Sequence, residues 1–194
     1  MVPEQRNSPL VVFGAGGRAG LAVVAGDLTD SDSVSSVVPG KVAGLVNAVT
    51  PFTAPPESFA DFDPDYYVRL VRNLAQVARE SRVIEIGLAA TLRTASGRVY
   101  EDPTAFPASL RPFAEARMNG LASWQETTKV DWLVITPPPG LSLEAPATGE
   151  YRLRGDVLDP QAASIPLSYA DLATAVLDQV EKPTVTRQQV TVYG

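Results

Sequence analysis

Gly14, Gly16, Gly17 and Gly20 fall within seven residues, directly after the apolar run Leu10-Val-Val-Phe13. Glycine permits a tight turn and lets bare backbone N–H groups approach an anion. Gly14, Gly16 and Ala19 fit the pattern G-x-G-x-x-A, while Gly14, Gly17 and Gly20 fit G-x-x-G-x-x-G. After a buried strand, either register suits a dinucleotide pyrophosphate seated at a helix N-terminus, where the dipole favours negative charge. The same cluster also reads as a purely structural turn. Other chemistry is narrowed by what is missing. The chain has no cysteine and no histidine. Disulfides, thiolate nucleophiles, zinc–thiolate sites and Ser-His-Asp triads are therefore excluded, and no metal site is expected. Acid–base work is left to Tyr, Lys, Asp, Glu, a hydroxyl relay or the substrate.

The elements that must position these residues follow from composition and period. The 194 residues suggest one domain, 1–194, with a real core. A hydrophobic content of 45% with 20% charged residues is ordinary for a globular protein. The net charge of −6 argues against nucleic acid and anionic membrane as partners. The N-terminus carries Glu4 and only a four-residue apolar run, and no run approaches the ~18 residues of a membrane span. The expectation is a cytoplasmic protein with a small-molecule substrate.

Along the chain, residues 1–9 are polar and expected to fray, and a strand runs from about Pro9 to Phe13. Leu21 to Ala25 reads as a second strand. Asp30 caps a short helix with Val34, Val37 and Val38 on its apolar face, stopped by Pro39-Gly40. Ala43 to Val49 is a buried strand, followed by an irregular loop over 50–62. Asp63-Pro64 opens a helix whose Tyr67, Leu70, Val71, Leu74 and Val77 share one face. Val83 to Ile86 is a strand; 92–112 reads as an irregular active-site loop; Phe113 to about Thr127 is a helix; Trp132 to Thr136 is a strand closed by Pro137 to Pro139. Residues 140–163 read as irregular. Ser168-Tyr-Ala-Asp171 is a capping box in its Asp form, leading a helix that Pro183 ends, and Thr184 to Tyr193 is the last strand. This alternation predicts an open α/β sheet with helices on both faces.

Taken together, these stretches resemble the atypical short-chain dehydrogenase/reductases, in particular the NAD(P)H-binding, NmrA-like and NADH–flavin reductase branch. Gly14-Ala-Gly-Gly-Arg-Ala-Gly20 is similar to the family's phosphate loop, and Gly26-Asp27-Leu28-Thr29-Asp30 to its G-D-x-x-D stretch. Asn47-Ala-Val-Thr50 and Gly87-Leu-Ala-Ala90 stand at the corresponding strand ends. Asp131-Trp132 with Thr136-Pro-Pro138, Gly149 to Leu153, and Ile165 to Ala173 resemble the family's later segments. The resemblance implies an open, mostly parallel Rossmann-type sheet and NADP or NAD as cofactor. It implies cofactor contacts at Gly14, Gly16, Gly17, Arg18, Ala19, Gly20, Asp27, Leu28, Ala48, Val49, Thr50, Gly87, Leu88, Ala89, Arg117, Pro137 and Pro138. It also implies hydride transfer to a flavin, quinone or conjugated small molecule, with a homodimer as an expected state. Two rivals stand beside that reading: a nucleotide-sensing regulator of the NmrA type, and a cofactor-independent Rossmann scaffold acting on an apolar metabolite.

Two departures from the family pattern stand out. Gly20 runs straight into Leu21, where the family has a first crossover helix and a second strand. The shortfall is roughly 25–35 residues. Either the sequence skips a segment of the folded protein, the preferred explanation, or the chain lacks it. Secondly, Phe113 and Arg117 stand where the family's Y-x-x-x-K pair should fall. Phenylalanine cannot donate a proton and arginine stays protonated, so Arg117 in the catalytic position is left to orient a ribose or phosphate. Thr91 and Tyr100 are lesser candidates to meet the substrate. Phe52, Phe59 and Phe62 either roof an apolar substrate or pin a long loop, and Trp124 and Trp132 read as core.

Overall fold

The apolar, β-branched runs of the sequence become neighbours in one sheet, and the amphipathic runs between them become its helical cover. The computed structural model describes residues 9–14, 24–40, 42–52, 56 and 58–194. In chain order the elements are β1 (Leu10–Phe13), α1 (Ser31–Val37), β2 (Gly44–Asn47), α2 (Tyr66–Ala78) and β3 (Arg82–Ile86). A small hairpin, β4 (Arg93–Thr94) and β5 (Gly97–Arg98), precedes α3 (Arg111–Glu126) and β6 (Trp132–Thr136). Then come β7 (Leu141–Ser142), β8 (Arg152–Arg154), the single turn α4 (Pro160–Ala163), β9 (Leu167–Ser168), α5 (Tyr169–Glu181) and β10 (Gln188–Tyr193). The main sheet has the order β1-β2-β3-β6-β10-β8. Its first five strands are parallel, and β8 closes the far edge antiparallel to β10.

Strand alternation divides the core into two layers. Leu45, Val83, Trp132 and Val134 face one way and pack with Val34 of α1, with Tyr67, Leu70, Val71 and Leu74 of α2, and with Leu121 and Trp124 of α3. Val46, Ile84, Leu133, Ile135, Val190 and Val192 face the other way against Leu172, Ala175 and Val176 of α5. The α/β architecture with helices on both faces is thus as the alternation of elements predicts. Local signals hold too: the Asp30 side chain accepts from the Asp32 and Ser33 amides at the head of α1, and Ser168 caps α5 by accepting from Asp171 N.

Several expectations change. The Leu21–Ala25 strand is not formed where it can be seen: residues 24–27 are irregular and Val24 is 66% exposed. Among the described residues β1 pairs only with β2 and so lies at a sheet edge. The Gly20–Leu21 junction falls outside the described residues. Helix α2 starts at Tyr66 with Asp65 as its N-cap residue, because Asp63 instead accepts the Asp65 amide in a turn at 2.9 Å. The stretch 92–112 contains the β4–β5 hairpin, and 140–163 contains β7, β8 and α4. These elements form through distant partners, such as the Arg93 and Val157 bridge and the pairing of β7 with β9, which no local period announces. The final strand begins at Gln188, not Thr184.

Asp171 departs most instructively. Its amide makes the cap bond, but its buried carboxylate does not complete the reciprocal box. It accepts instead from the Ser168 hydroxyl at 2.7 Å, the Gly149 amide at 2.8 Å and the Thr148 amide at 3.1 Å, fastening the 140–150 segment to the head of α5. The Ser168 hydroxyl foremost, then the Thr148 and Gly149 amides, hold this carboxyl below the ordinary carboxylate range. A depressed folded value means the stabilisation is complete above the unfolded value of about 3.9 and is lost as pH falls through the folded one. In denaturation at varied pH, the advantage of wild type over Asp171→Asn is expected to be flat above about pH 5 and to shrink below about pH 4.

Candidate functional site

The carboxyl ends of β1, β2 and β3 lie side by side, which in an open parallel sheet is where a ligand crevice forms. Each of these strands is followed by a residue with little or no side chain: Gly14, Ala48 and Gly87. Gly14 has φ +87°, and a Cβ there would lie 2.6 Å from the Ala48 carbonyl oxygen and 3.0 Å from the Val49 nitrogen. The Ala48 amide donates to the Phe13 carbonyl at 3.0 Å, so the two chain ends are laced together. Gly87 donates to the Ile135 carbonyl at 2.8 Å, and a Cβ there would overlap the Thr136 side chain and come within 2.9 Å of Val134. Gly14 and Ala48 are exposed, Val49 and Gly87 half-buried. The result is a floor of backbone with no side chain larger than the Ala48 methyl, suited to an anion or a flat ring.

Directly beneath that floor lies a buried polar network centred on Glu85. The Glu85 side chain projects from β3 into the α2–α3 layer and is only 4% exposed. Its Oε2 accepts from Trp124 Nε1 at 2.9 Å and from Asn47 Nδ2 at 3.2 Å, and its Oε1 faces Arg117 at 3.4 Å. The Asn47 amide oxygen in turn accepts from the Val49 amide at 3.1 Å. Arg117 also donates to the Ile86 carbonyl at 3.3 Å, and its guanidinium lies 3.9 Å over the Tyr67 ring. Burial pushes the Tyr67 phenol up to about 12, so it stays neutral. Arg117, expected in the catalytic position, is 9% exposed and serves as the internal counter-ion of Glu85. Its place between α3 and β3 holds the strand end that carries Gly87.

Phe113, standing where a proton-donating tyrosine was expected, is buried in an aromatic cluster. Its ring centroid is 5.0 Å from Phe59, 5.3 Å from both Phe52 and Phe62, and 5.9 Å from Tyr67. The three loop phenylalanines therefore pin the described stretches around Phe52 and around Phe59 to Phe62 onto α3. Trp124 and Trp132 are core residues, stacked at 6.1 Å.

The other expected site residues are distributed as follows. Gly16, Gly17, Arg18, Ala19 and Gly20 lie outside the described residues. Asp27 forms a turn, accepting from the Thr29 amide and hydroxyl at 2.8 and 2.7 Å, and that hydroxyl bond leads in holding its carboxyl below the usual range. Leu28 turns its side chain into the core, with its carbonyl held by Asn73 at 2.9 Å. Thr50 is exposed beside Val49, Leu88 and Ala89 are half-buried after Gly87, and Pro137 and Pro138 are buried behind β6. Thr91 is buried and donates to the Leu88 carbonyl at 2.7 Å. Sequence reasoning missed Glu85 and Gln189. The signal for the first was present: a charged residue inside Val83-Ile-Glu-Ile86 needs a buried partner. Among the described residues no cluster of metal-ligating side chains occurs, and no helix is long and apolar enough to cross a membrane.

Comparison with known proteins agrees with this architecture. A Streptococcus pneumoniae protein provisionally named an NADH-flavin reductase superposes with a TM-score of 0.71 at 18% identity, over 95% of this chain and 86% of that one. A Burkholderia pseudomallei protein provisionally described as exported gives 0.77 at 20% identity, over 96% and 100%. The anaerobillin reductase ChuY from Escherichia coli O157:H7 gives 0.64 at 15% identity, over 96% and 97%. The chain has their fold. No family model matches it. By sequence it is similar to the uncharacterized protein YwnB of Bacillus subtilis (strain 168), 27% identical over 131 residues, or 65% of this chain. The match spans 61% of the length of that curated relative.

Two substitutions test the site's construction. Gly14→Ala combines a left-handed backbone with overlap on Ala48, and is expected to cost about 1–3 kcal/mol in chemical denaturation. Glu85→Ala strands the Arg117 charge in the core, with an expected loss of about 3–5 kcal/mol; the double replacement Glu85→Leu/Arg117→Leu should recover only part of it, because Trp124 Nε1 and Asn47 Nδ2 still lose their acceptor.

Proposed function

We propose that this chain is a single NAD(P)-binding Rossmann-type domain. In this reading it holds NADPH or NADH along the carboxyl edge of its parallel sheet, and it acts as a reductase. The observation that carries the reading is Gly14. It stands after the N-terminal strand β1, which is half-buried at the sheet edge rather than fully buried as its sequence suggested, in left-handed backbone, packed against the end of the neighbouring strand, at the head of the glycine-rich stretch Gly14–Gly20. A group with a long diphosphate bridge and a flat redox ring fits a floor made of Gly14, Ala48 and Gly87, because bare backbone lets both come close. The names of two solved structures sharing the fold, an NADH-flavin reductase and an anaerobillin reductase, support the same reading.

In this proposal the stretch 14–20 meets the diphosphate, the exposed Asp27 meets the adenosine while Leu28, buried in the core, anchors that turn, Val49 and Thr50 flank the ribose side, and Gly87 to Ala89 underlie the reacting ring. Pro137 and Pro138 complete the wall. When bound, the reduced cofactor supplies a hydride. The chain's own contribution is to orient the cofactor and its acceptor against one another. With Phe113 in the core and Arg117 paired to Glu85, the acceptor takes its proton from solvent. That suits a flavin, quinone or conjugated small molecule better than an alcohol or ketone. A cytoplasmic setting and a homodimer belong to the same proposal. The same two residues also favour a second reading, in which the chain binds nucleotide as an NmrA-like sensor without turnover.

Fluorescence titration with NADPH and NADH, followed by cofactor consumption against a panel of flavins and quinones, separates these readings. Saturable binding with a dissociation constant between roughly 1 μM and 1 mM, together with consumption, is the expected result. Binding without consumption favours the sensor. No binding of either nucleotide overturns the proposal.

A further inference from the structure

Gln189 stands near the start of β10, with its side chain on the same sheet face as Val134 of the adjacent β6. It is 7% exposed. Its Nε2 donates to the Thr91 hydroxyl at 2.8 Å and to the Thr136 hydroxyl at 3.0 Å, both of them buried. Thr91 passes the restraint on by donating to the Leu88 carbonyl at 2.7 Å, and the Thr91 amide donates to the same carbonyl at 2.9 Å. Thr136 faces Gly87 so closely that no Cβ fits between them. One amide group from the last strand therefore grips both sides of the turn 87–91: from below through Thr136, and from its far end through Thr91. A buried amide ties up two hydroxyls at a cost in desolvation that apolar packing would avoid, and Gln189 Oε1 remains without a hydrogen-bond partner among the described residues. The arrangement costs stability at one atom and fixes the position of one turn.

We propose that Gln189 is a positioning residue: it holds Gly87-Leu88-Ala89 at the height and angle at which the turn receives the flat ring of a bound nicotinamide nucleotide. This inference rests on the reading in the preceding subsection, since it concerns the same floor. Gln189 touches no ligand itself. It acts through Thr91 and Thr136.

The test uses the full chain with Gln189→Met, which keeps length and volume but loses both hydrogen bonds. Thr91→Val removes one of the same bonds together with the hydroxyl's own bond to the Leu88 carbonyl, and Thr91→Ser retains both. Hydrogen exchange reads the turn directly, at the Thr91 and Leu92 amides, which donate to Leu88 and Ala89. Titration with NADPH and NADH reads its consequence. Gln189→Met and Thr91→Val are each expected to speed exchange at these two amides and to raise the dissociation constant about tenfold, the scale of one lost hydrogen bond. Thr91→Ser is expected to behave as wild type, and amides in the middle of β3 and β6 to keep their protection. A general loss of protection, or none at the turn, overturns the clamp. Selective loosening with unchanged affinity, in a chain whose wild type binds, overturns its positioning role. If wild type binds neither nucleotide, the cofactor reading and the positioning role that rests on it both fall, while the exchange data still decide whether the clamp exists.

Discussion

A carboxylate buried in the middle of a parallel sheet sets the terms for the rest of this structure. Glu85 cannot be left bare in a low-dielectric interior, since an isolated charge there costs far more than any single contact returns. Its two oxygens recruit three groups from two neighbouring elements: Asn47 from β2, and Trp124 and Arg117 from α3. Packing alone would let α3 settle on the sheet in several ways. Three polar partners with fixed directions allow far fewer, because a displaced helix would strand at least one of them.

The network matters most where it reaches the sheet's carboxyl edge. Asn47 holds the Val49 amide on one side of Glu85, and Arg117 holds the Ile86 carbonyl on the other. The chain ends following β2 and β3 are thus fixed from beneath, with nothing larger than a methyl group at Ala48 and no side chain at Gly87. Gln189 does the same for the next stretch of edge through Thr91 and Thr136. An extended flat ligand requires a rigid floor, and polar groups buried below the strand ends supply rigidity without filling the space above them.

Much of this was legible in the residues. The apolar runs at Leu10, Leu45, Val83 and Trp132 read as strands, and the spacing of Tyr67, Leu70, Val71 and Leu74 gave the buried face of α2 before any partner was known. Asp30 and Ser168 announced helix starts because an N-cap acts within a few residues of itself. Other features depended on partners far along the chain. The Arg117 guanidinium read as available for a ligand because Glu85, 32 residues away, was not recognised as its counter-ion. Phe52, Phe59 and Phe62 could roof a cavity or pin a loop until Phe113 came within about 5 Å of all three.

The sequence by itself determined the strands β1, β2, β3 and β6, the helices α1, α2, α3 and α5 with their buried faces, the Asp30 and Ser168 caps and the glycine-bearing strand end, since each is set by forces acting over one or two turns of chain. Only the tertiary structure decided that Arg117 is an internal counter-ion, that β1 lies at an edge of the described sheet, and that Gln189 reaches Thr91 across 98 residues. Hydrogen bonds and ion pairs between distant residues carry no period in the chain: their partners are chosen by which surfaces the fold brings face to face.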